Sequence, residues 1–222
     1  MLKVRVLDHP YIQVVLTTLR DKNIRQIEFR KAMVRLGRAM GFEITRDLDL
    51  ERVEVETPLG VKTGGVRFKD MDKVVIITVL RAGMPMTEGL IKIFYNARQG
   101  VVSARRVEEK GMRPDKTFDV EITYVRLPKI SSEDTVIIVD PMLATGSTIR
   151  EVLKIVLSKS RPRKVFVVGA IATPLAIDRV REVVEEYNLD ATIYTAAVDP
   201  TVNEKGYIVP GLGDAGDRAF GE

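Results

Sequence analysis

The chain has 222 residues, a formal net charge of +4, no cysteine and a single histidine, His9, which excludes a thiol nucleophile, a disulfide framework and thiolate or multi-histidine metal sites. That length suits one domain with a substantial core, and the basic balance favours anionic partners. No apolar run approaches the roughly 20 residues of a membrane span, and the N-terminus does not read as a secretory signal, so no membrane partner and a cytoplasmic location are expected.

Residues 10–41 are predicted to be helical. Phe29, Ala32, Met33, Leu36, Ala39 and Met40 recur at three- and four-residue spacing, Gly41 is a plausible stop, and Arg25, Arg30, Lys31, Arg35 and Arg38 form the opposite face. Residues 46–70 read as short extended pieces, with turns at Pro58-Leu59-Gly60 and Gly64-Gly65. VVIITVL (74–80) is a continuous apolar run, as expected of a strand covered on both faces. The loop RAGMP and a helix to about Tyr95 follow. SARRVEEKGMRPDKTFDV (103–120) is charged, carries Gly111 and Pro114, and reads as a long hairpin or flap. An ordinary solvated hairpin explains the same residues. VIIVD (136–140), KVFVVGAIA (164–172) and ATIYTAAV (191–198) are further strands, with helices at about 147–158 and 174–188. Strands alternating with helices argue for an α/β fold with a mainly parallel sheet flanked by helices. Ligands bind such sheets beyond the carboxyl ends of the strands, which here are Leu80 to Gly83, Asp140 to Thr148 and the segment after Val198.

VIIVDPMLATGSTIRE (136–151) joins a strand end to a helix start. Unpaired N–H groups and the helix dipole favour an anion there, Thr145, Ser147 and Thr148 add hydroxyls, and Gly146 permits close approach. No lysine follows Gly146, so this is not an NTPase loop, and the dinucleotide pattern GxGxxG is absent. Asp140 can accept from two sugar hydroxyls or bind water on Mg²⁺. Phosphate at one end and an acid at the other describe a ribose 5-phosphate pocket. A helix start capped by Ser or Thr is the simpler alternative.

This combination resembles the phosphoribosyltransferases that use phosphoribosyl pyrophosphate (PRPP). Most members carry two adjacent acids at the strand end. Here Asp140 is followed by Pro141, the form shown by uracil phosphoribosyltransferases. The stretch YIVPGLGDAGDRAFG (207–221) is similar to that family's uracil-binding signature. Its glycines offer main-chain donors and acceptors, which can match the acceptor–donor–acceptor edge of uracil and leave cytosine with unpaired groups. HPYIQVVLTTLRDKN (9–23), EFRKAMVRLGRAMGFEITRDL (28–48), VEVETPLG (53–60) and VLRAGMPM (79–86) also resemble the family.

The resemblance implies a single type I phosphoribosyltransferase domain over 1–222. It would comprise an N-terminal helical arm (1–45), a β-hairpin flap (103–125) and a C-terminal base-binding hood (199–222). It implies a pentosyltransferase that converts uracil and PRPP to UMP and pyrophosphate. Arg81, Arg106 and Asp140 would be the catalytic groups. Arg81 and its loop would bind pyrophosphate, and Arg106 on the flap would also contact PRPP. Asp140, Pro141, Met142, Leu143, Ala144, Thr145, Gly146, Ser147 and Thr148 would bind the ribose 5-phosphate. Ile208, Gly213, Asp214 and Ala215 would bind uracil through main chain, and Asp214 would approach PRPP through Mg²⁺ and water. Mg²⁺ would arrive with PRPP, with no direct protein ligand. The Leu80-Arg81-Ala82 loop is expected to hold a cis non-proline peptide, and His9 to be structural.

Relatives are often homo-oligomers, which implies a dimer or tetramer, and some respond to GTP as activator or CTP as inhibitor. The candidate effector residues are Arg30, Lys31, Met33 and Val34, although a solvated charged face explains them equally well. The rival reading is an RNA-binding regulator of pyrimidine genes on the same fold. Such regulators lack this uracil tail, so no nucleic-acid partner is expected.

Overall fold

In a computed structural model that describes residues 1–221, the apolar runs form the middle of one sheet. Glu222, the last residue of the expected hood, lies outside the described residues. In chain order the elements begin with β1 (Leu2–Val6), α1 (Pro10–Arg20), α2 (Gln26–Ile44), β2 (Leu50–Glu56), β3 (Lys62–Phe68), β4 (Val74–Leu80) and α3 (Met84–Leu90). β5 (Arg98–Arg106), β6 (Val120–Arg126), β7 (Thr135–Val139), β8 (Met142–Leu143), α4 (Ser147–Lys159), β9 (Lys164–Ala172) and α5 (Pro174–Glu186) follow. The chain closes with β10 (Ala191–Val198), β11 (Thr201–Val202), β12 (Ile208–Val209) and α6 (Ala215–Phe220).

The main sheet runs β1-β10-β9-β7-β4-β5-β6, and every pairing is parallel except β5 with β6. Alternation along each strand sends its side chains to two cores. Ile76, Ile137, Phe166 and Tyr194 meet Phe29, Met33, Leu36 and Met40 of α2 on one face. Val75, Ile77, Ile138 and Val167 meet Val152 and Val156 of α4 and Val180 and Val184 of α5 on the other. Each such aliphatic side chain contributes about 1.5–3 kcal/mol when fully buried. This two-sided burial is why these strands are apolar without interruption, and it yields the α/β architecture expected.

Several local expectations are corrected. The helical arm is two helices, because Asp21 ends α1 with an extended backbone and Arg25 starts α2 with a capping box to Glu28. Gly41 does not stop α2. It is buried where a β-carbon would lie 2.9 Å from Ile93 Cγ1, so it serves helix packing. Gly37 and Gly89 likewise let α2 and α3 cross in backbone contact: a β-carbon on either would come within 2.1 Å of a carbonyl oxygen, that of Met86 or Val34. Gly64-Gly65 is not a turn but lies inside β3, and the turn of this hairpin spans Thr57 to Val61. The helix after Arg81 ends at Leu90, short of Tyr95. His9 caps α1, its Nδ1 accepting from the Tyr11 amide at 3.1 Å.

Candidate active site

Parallel strands bring their carboxyl ends to one edge, and the loops that leave them enclose a cavity. Its floor is the end of β4 (Val79 and Leu80) with Ala82 just beyond it, and one wall comes from the segment between Asp140 and Ile149. The hood supplies the opposite wall through Gly206, Tyr207, Ile208, Gly213, Asp214, Ala215 and Gly216, and Arg106 reaches in from β5.

The Asp140 loop is shaped by its own side chains. Asp140 Oδ1 accepts from the Met142 amide at 3.3 Å. Thr145 Oγ1 donates to Ser147 Oγ at 3.1 Å and accepts from the Ser147 amide at 3.4 Å. Gly146 has φ +80°, a left-handed conformation that glycine adopts without cost, and α4 starts directly after it. Burial pushes the Asp140 carboxyl up to about 6, opposed by the Met142 amide and by the positive charge of Arg106. It is therefore ionised at neutral pH and able to accept from hydroxyls.

The hood is a small antiparallel hairpin, β11 with β12, followed by α6. Asp214 caps α6, its Oδ1 accepting from the Gly216 amide at 2.8 Å and the Asp217 amide at 3.0 Å. The rest of the hood is anchored from far away in sequence. Arg20, at the end of α1, makes a two-point ion pair with buried Asp199 at 2.7 and 2.8 Å. The same pair takes both backbone groups of Gly211: Arg20 donates to its carbonyl at 2.7 Å, and Asp199 accepts from its amide at 2.8 Å. Arg218 donates to the carbonyls of Leu19, Leu212 and Asp21 at 2.5–2.6 Å.

The flap lies over this edge as β5, β6 and the loop between them. The Phe118 amide donates to Ser147 Oγ at 3.0 Å. The Arg106 guanidinium lies 5.1 Å from the Phe118 ring centre and 5.5 Å from that of Tyr207, and it donates to the Gly206 carbonyl at 3.2 Å. Residue 81 follows a cis Leu80–Arg81 peptide, and Val209–Pro210 is also cis.

Of the residues singled out from sequence, Arg106, Asp140, Met142, Leu143, Ala144, Thr145, Gly146, Thr148, Ile208, Gly213, Asp214 and Ala215 share this cavity. Pro141 and Ser147 are buried behind the loop. Arg81 is exposed at the edge, its guanidinium 5.7 Å from the Phe220 ring centre, and it does not line the cavity wall. On α2, Arg30 and Lys31 are exposed and Val34 is half-buried. Met33 is fully enclosed in the core, so its side chain is withdrawn from the effector set. Arg20, Asp199, Arg218 and Arg179 have no local sequence signature: Arg20 and Asp199 pair across 179 positions, while Arg218 and Arg179 reach backbone carbonyls.

Among the described residues no group of three or more His, Cys, Asp or Glu side chains is placed to hold a metal ion. Asp140 and Asp214 are the carboxylates on the cavity wall. Mg²⁺ keeps most of its waters and is held by one or two carboxylates together with substrate phosphates, so this donor set fits an ion delivered with a phosphorylated ligand. No described helix is long and apolar enough to cross a membrane.

A family model described as uracil phosphoribosyltransferase matches residues 6–222. Curated proteins named uracil phosphoribosyltransferase are similar over nearly the whole chain. That of Thermococcus gammatolerans is 52% identical, covering 96% of this chain and 91% of its own. That of Pyrobaculum arsenaticum is 52% identical, covering 98% of both chains. A solved protein structure from Aquifex aeolicus superposes with a TM-score of 0.84 at 33% identity, covering 98% of each chain.

Proposed function

The chain belongs to the uracil phosphoribosyltransferase family, and from that premise we propose that it is a pentosyltransferase whose cavity joins uracil to the ribose 5-phosphate of PRPP, giving UMP and pyrophosphate. The observation that carries this reading is the meeting of three parts at one strand edge: a phosphate-type loop with an acid, an arginine on a flap, and a glycine-rich backbone wall.

The α4 N-terminus and the hydroxyls of residues 145–148 hold the 5-phosphate. Asp140 accepts from the ribose hydroxyls. Arg81 and Arg106 stabilise the negative charge that grows on the departing pyrophosphate as C1 becomes oxocarbenium-like. Mg²⁺, when bound with PRPP, neutralises part of the same charge. Backbone groups of Ile208 and of Gly213 to Ala215 read the uracil edge and aim N1 at C1, an orientation effect.

A homo-oligomer, dimer or tetramer, fits the β2–β3 hairpin, which stands outside the main sheet and exposes Leu59, Val61 and Val66. GTP activates and CTP inhibits in this reading, with Arg30 and Lys31 on the exposed face of α2 as the phosphate-facing groups. The assay is purified protein with Mg²⁺, PRPP and each nucleobase in turn, with and without GTP or CTP, reading nucleotide by chromatography. UMP from uracil alone is the expected result. Equal turnover of cytosine or a purine sinks the backbone-wall assignment, and rates indifferent to GTP and CTP remove the effectors.

A further inference from the structure

Among the described residues Arg179 is the arginine that is almost wholly enclosed, at 6% exposure. Among the described residues, its hydrogen bonds all go to backbone carbonyls, and they come from two separate loops. Nη1 donates to Thr145 O in the phosphate loop and to Lys116 O in the flap at 3.1 Å, and Nη2 donates to Asp115 O in the flap at 2.5 Å. Its shaft packs directly behind Gly146, where a β-carbon would come within 3.0 Å of Arg179 Cβ. The flap segment it grips continues to Phe118, whose amide donates to Ser147 and whose ring lies beneath Arg106.

We propose that Arg179 is a positioning residue for the transfer reaction. By fastening the flap tip to the phosphate loop it sets where Arg106 stands over PRPP, and it couples phosphate binding to flap closure. The proposal rests on the reading of residues 140–148 as the ribose 5-phosphate site. The planar fork is what the geometry uses. A lysine keeps the charge but is a point donor, and it cannot span both loops in the same way.

The test compares wild type, Arg179→Gln and Arg179→Lys. It uses trypsin cleavage at Lys110 and Lys116, the flap's cleavable basic residues between β5 and β6, with and without PRPP, together with separate KM values for PRPP and uracil. Both variants are expected to be cleaved in the flap about tenfold faster than wild type without ligand and to lose the protection PRPP gives. KM for PRPP should rise roughly tenfold, while KM for uracil stays within about twofold. Wild-type-like cleavage and KM in folded variants would overturn the proposal, as would cleavage that accelerates equally outside the flap, the mark of a purely structural role. If Arg179→Gln fails to fold by circular dichroism, Arg179→Lys decides, and its matching wild type overturns the bridge. Calorimetry of PRPP on wild type separates the two readings. Absence of binding removes the phosphate-loop assignment, while the ligand-free cleavage comparison still decides the tether.

Discussion

The phosphate loop and the hood face each other across one cavity, but they are held from very different distances along the chain. In residues 140–148 the acid accepts from an amide two residues on, and the hydroxyls of Thr145 and Ser147 bond to each other. The hood hangs on Arg20 and on the contacts of Arg218 with the end of α1, between groups separated by 179 to 199 positions. The first wall needs only the following β9 and α5 besides its own residues, its most distant hydrogen-bond partner there being Arg179, 34 positions from Thr145. The second exists only once both ends of the chain have met. Local and assembled walls should therefore fail differently.

The largest effect should come from Asp199→Ala. It leaves Arg20 and the Gly211 amide without their acceptor in a mostly buried setting, a change that typically costs about 3–5 kcal/mol. Calorimetric unfolding should show the loss, and KM for uracil should rise several times more than KM for PRPP. Equal rises in both would erase the distinction between the two walls.

Asp140→Asn should do the opposite to stability. The folded protein holds the Asp140 proton up to about pH 6, above the ordinary value of 3.8, so the ionised form opposes folding at pH 7. That penalty, on the order of 2–3 kcal/mol, fades as pH falls from about 6 towards 3.8. The variant should therefore melt above wild type at pH 7–8, with the gap closing near pH 4, while its affinity for PRPP drops. Wild type should itself bind PRPP less well below about pH 6. A variant that melts lower at neutral pH would show the carboxylate to be a structural asset.

Ser147→Ala should be the mildest. Removing the acceptor of a buried amide costs about 1–3 kcal/mol. Faster hydrogen exchange confined to Phe118 and its neighbours is the expected signature, and unchanged exchange there would mean the flap is held without this bond.

The same contrast explains what the sequence discloses. The Asp140 loop is legible because all its parts lie within nine consecutive residues and each residue type has one evident use there. Central strands are legible because burial on both faces leaves no polar position. β1 was missed because its Lys3 and Arg5 sit on an open sheet edge, where charge is tolerated, and five residues give little pattern. The break between α1 and α2 is hidden by helical spacing on both sides of it. The Arg20–Asp199 anchor is not legible at all. The chain has 35 lysines and arginines and 31 acids, and nothing local marks which two will meet.

The crossing of α2 and α3 at Gly37 and Gly89 carries a mechanical consequence. Two backbones in contact have no side-chain padding to absorb displacement, and packed interiors yield little. Because α3 begins at Met84, three residues beyond Arg81, the arm helix and the Arg81 loop behave as one rigid bracket. For anyone redesigning this protein, that seam tolerates not even one added carbon, and its stiffness fixes how far the outer arm can tilt without dragging an edge of the cavity along.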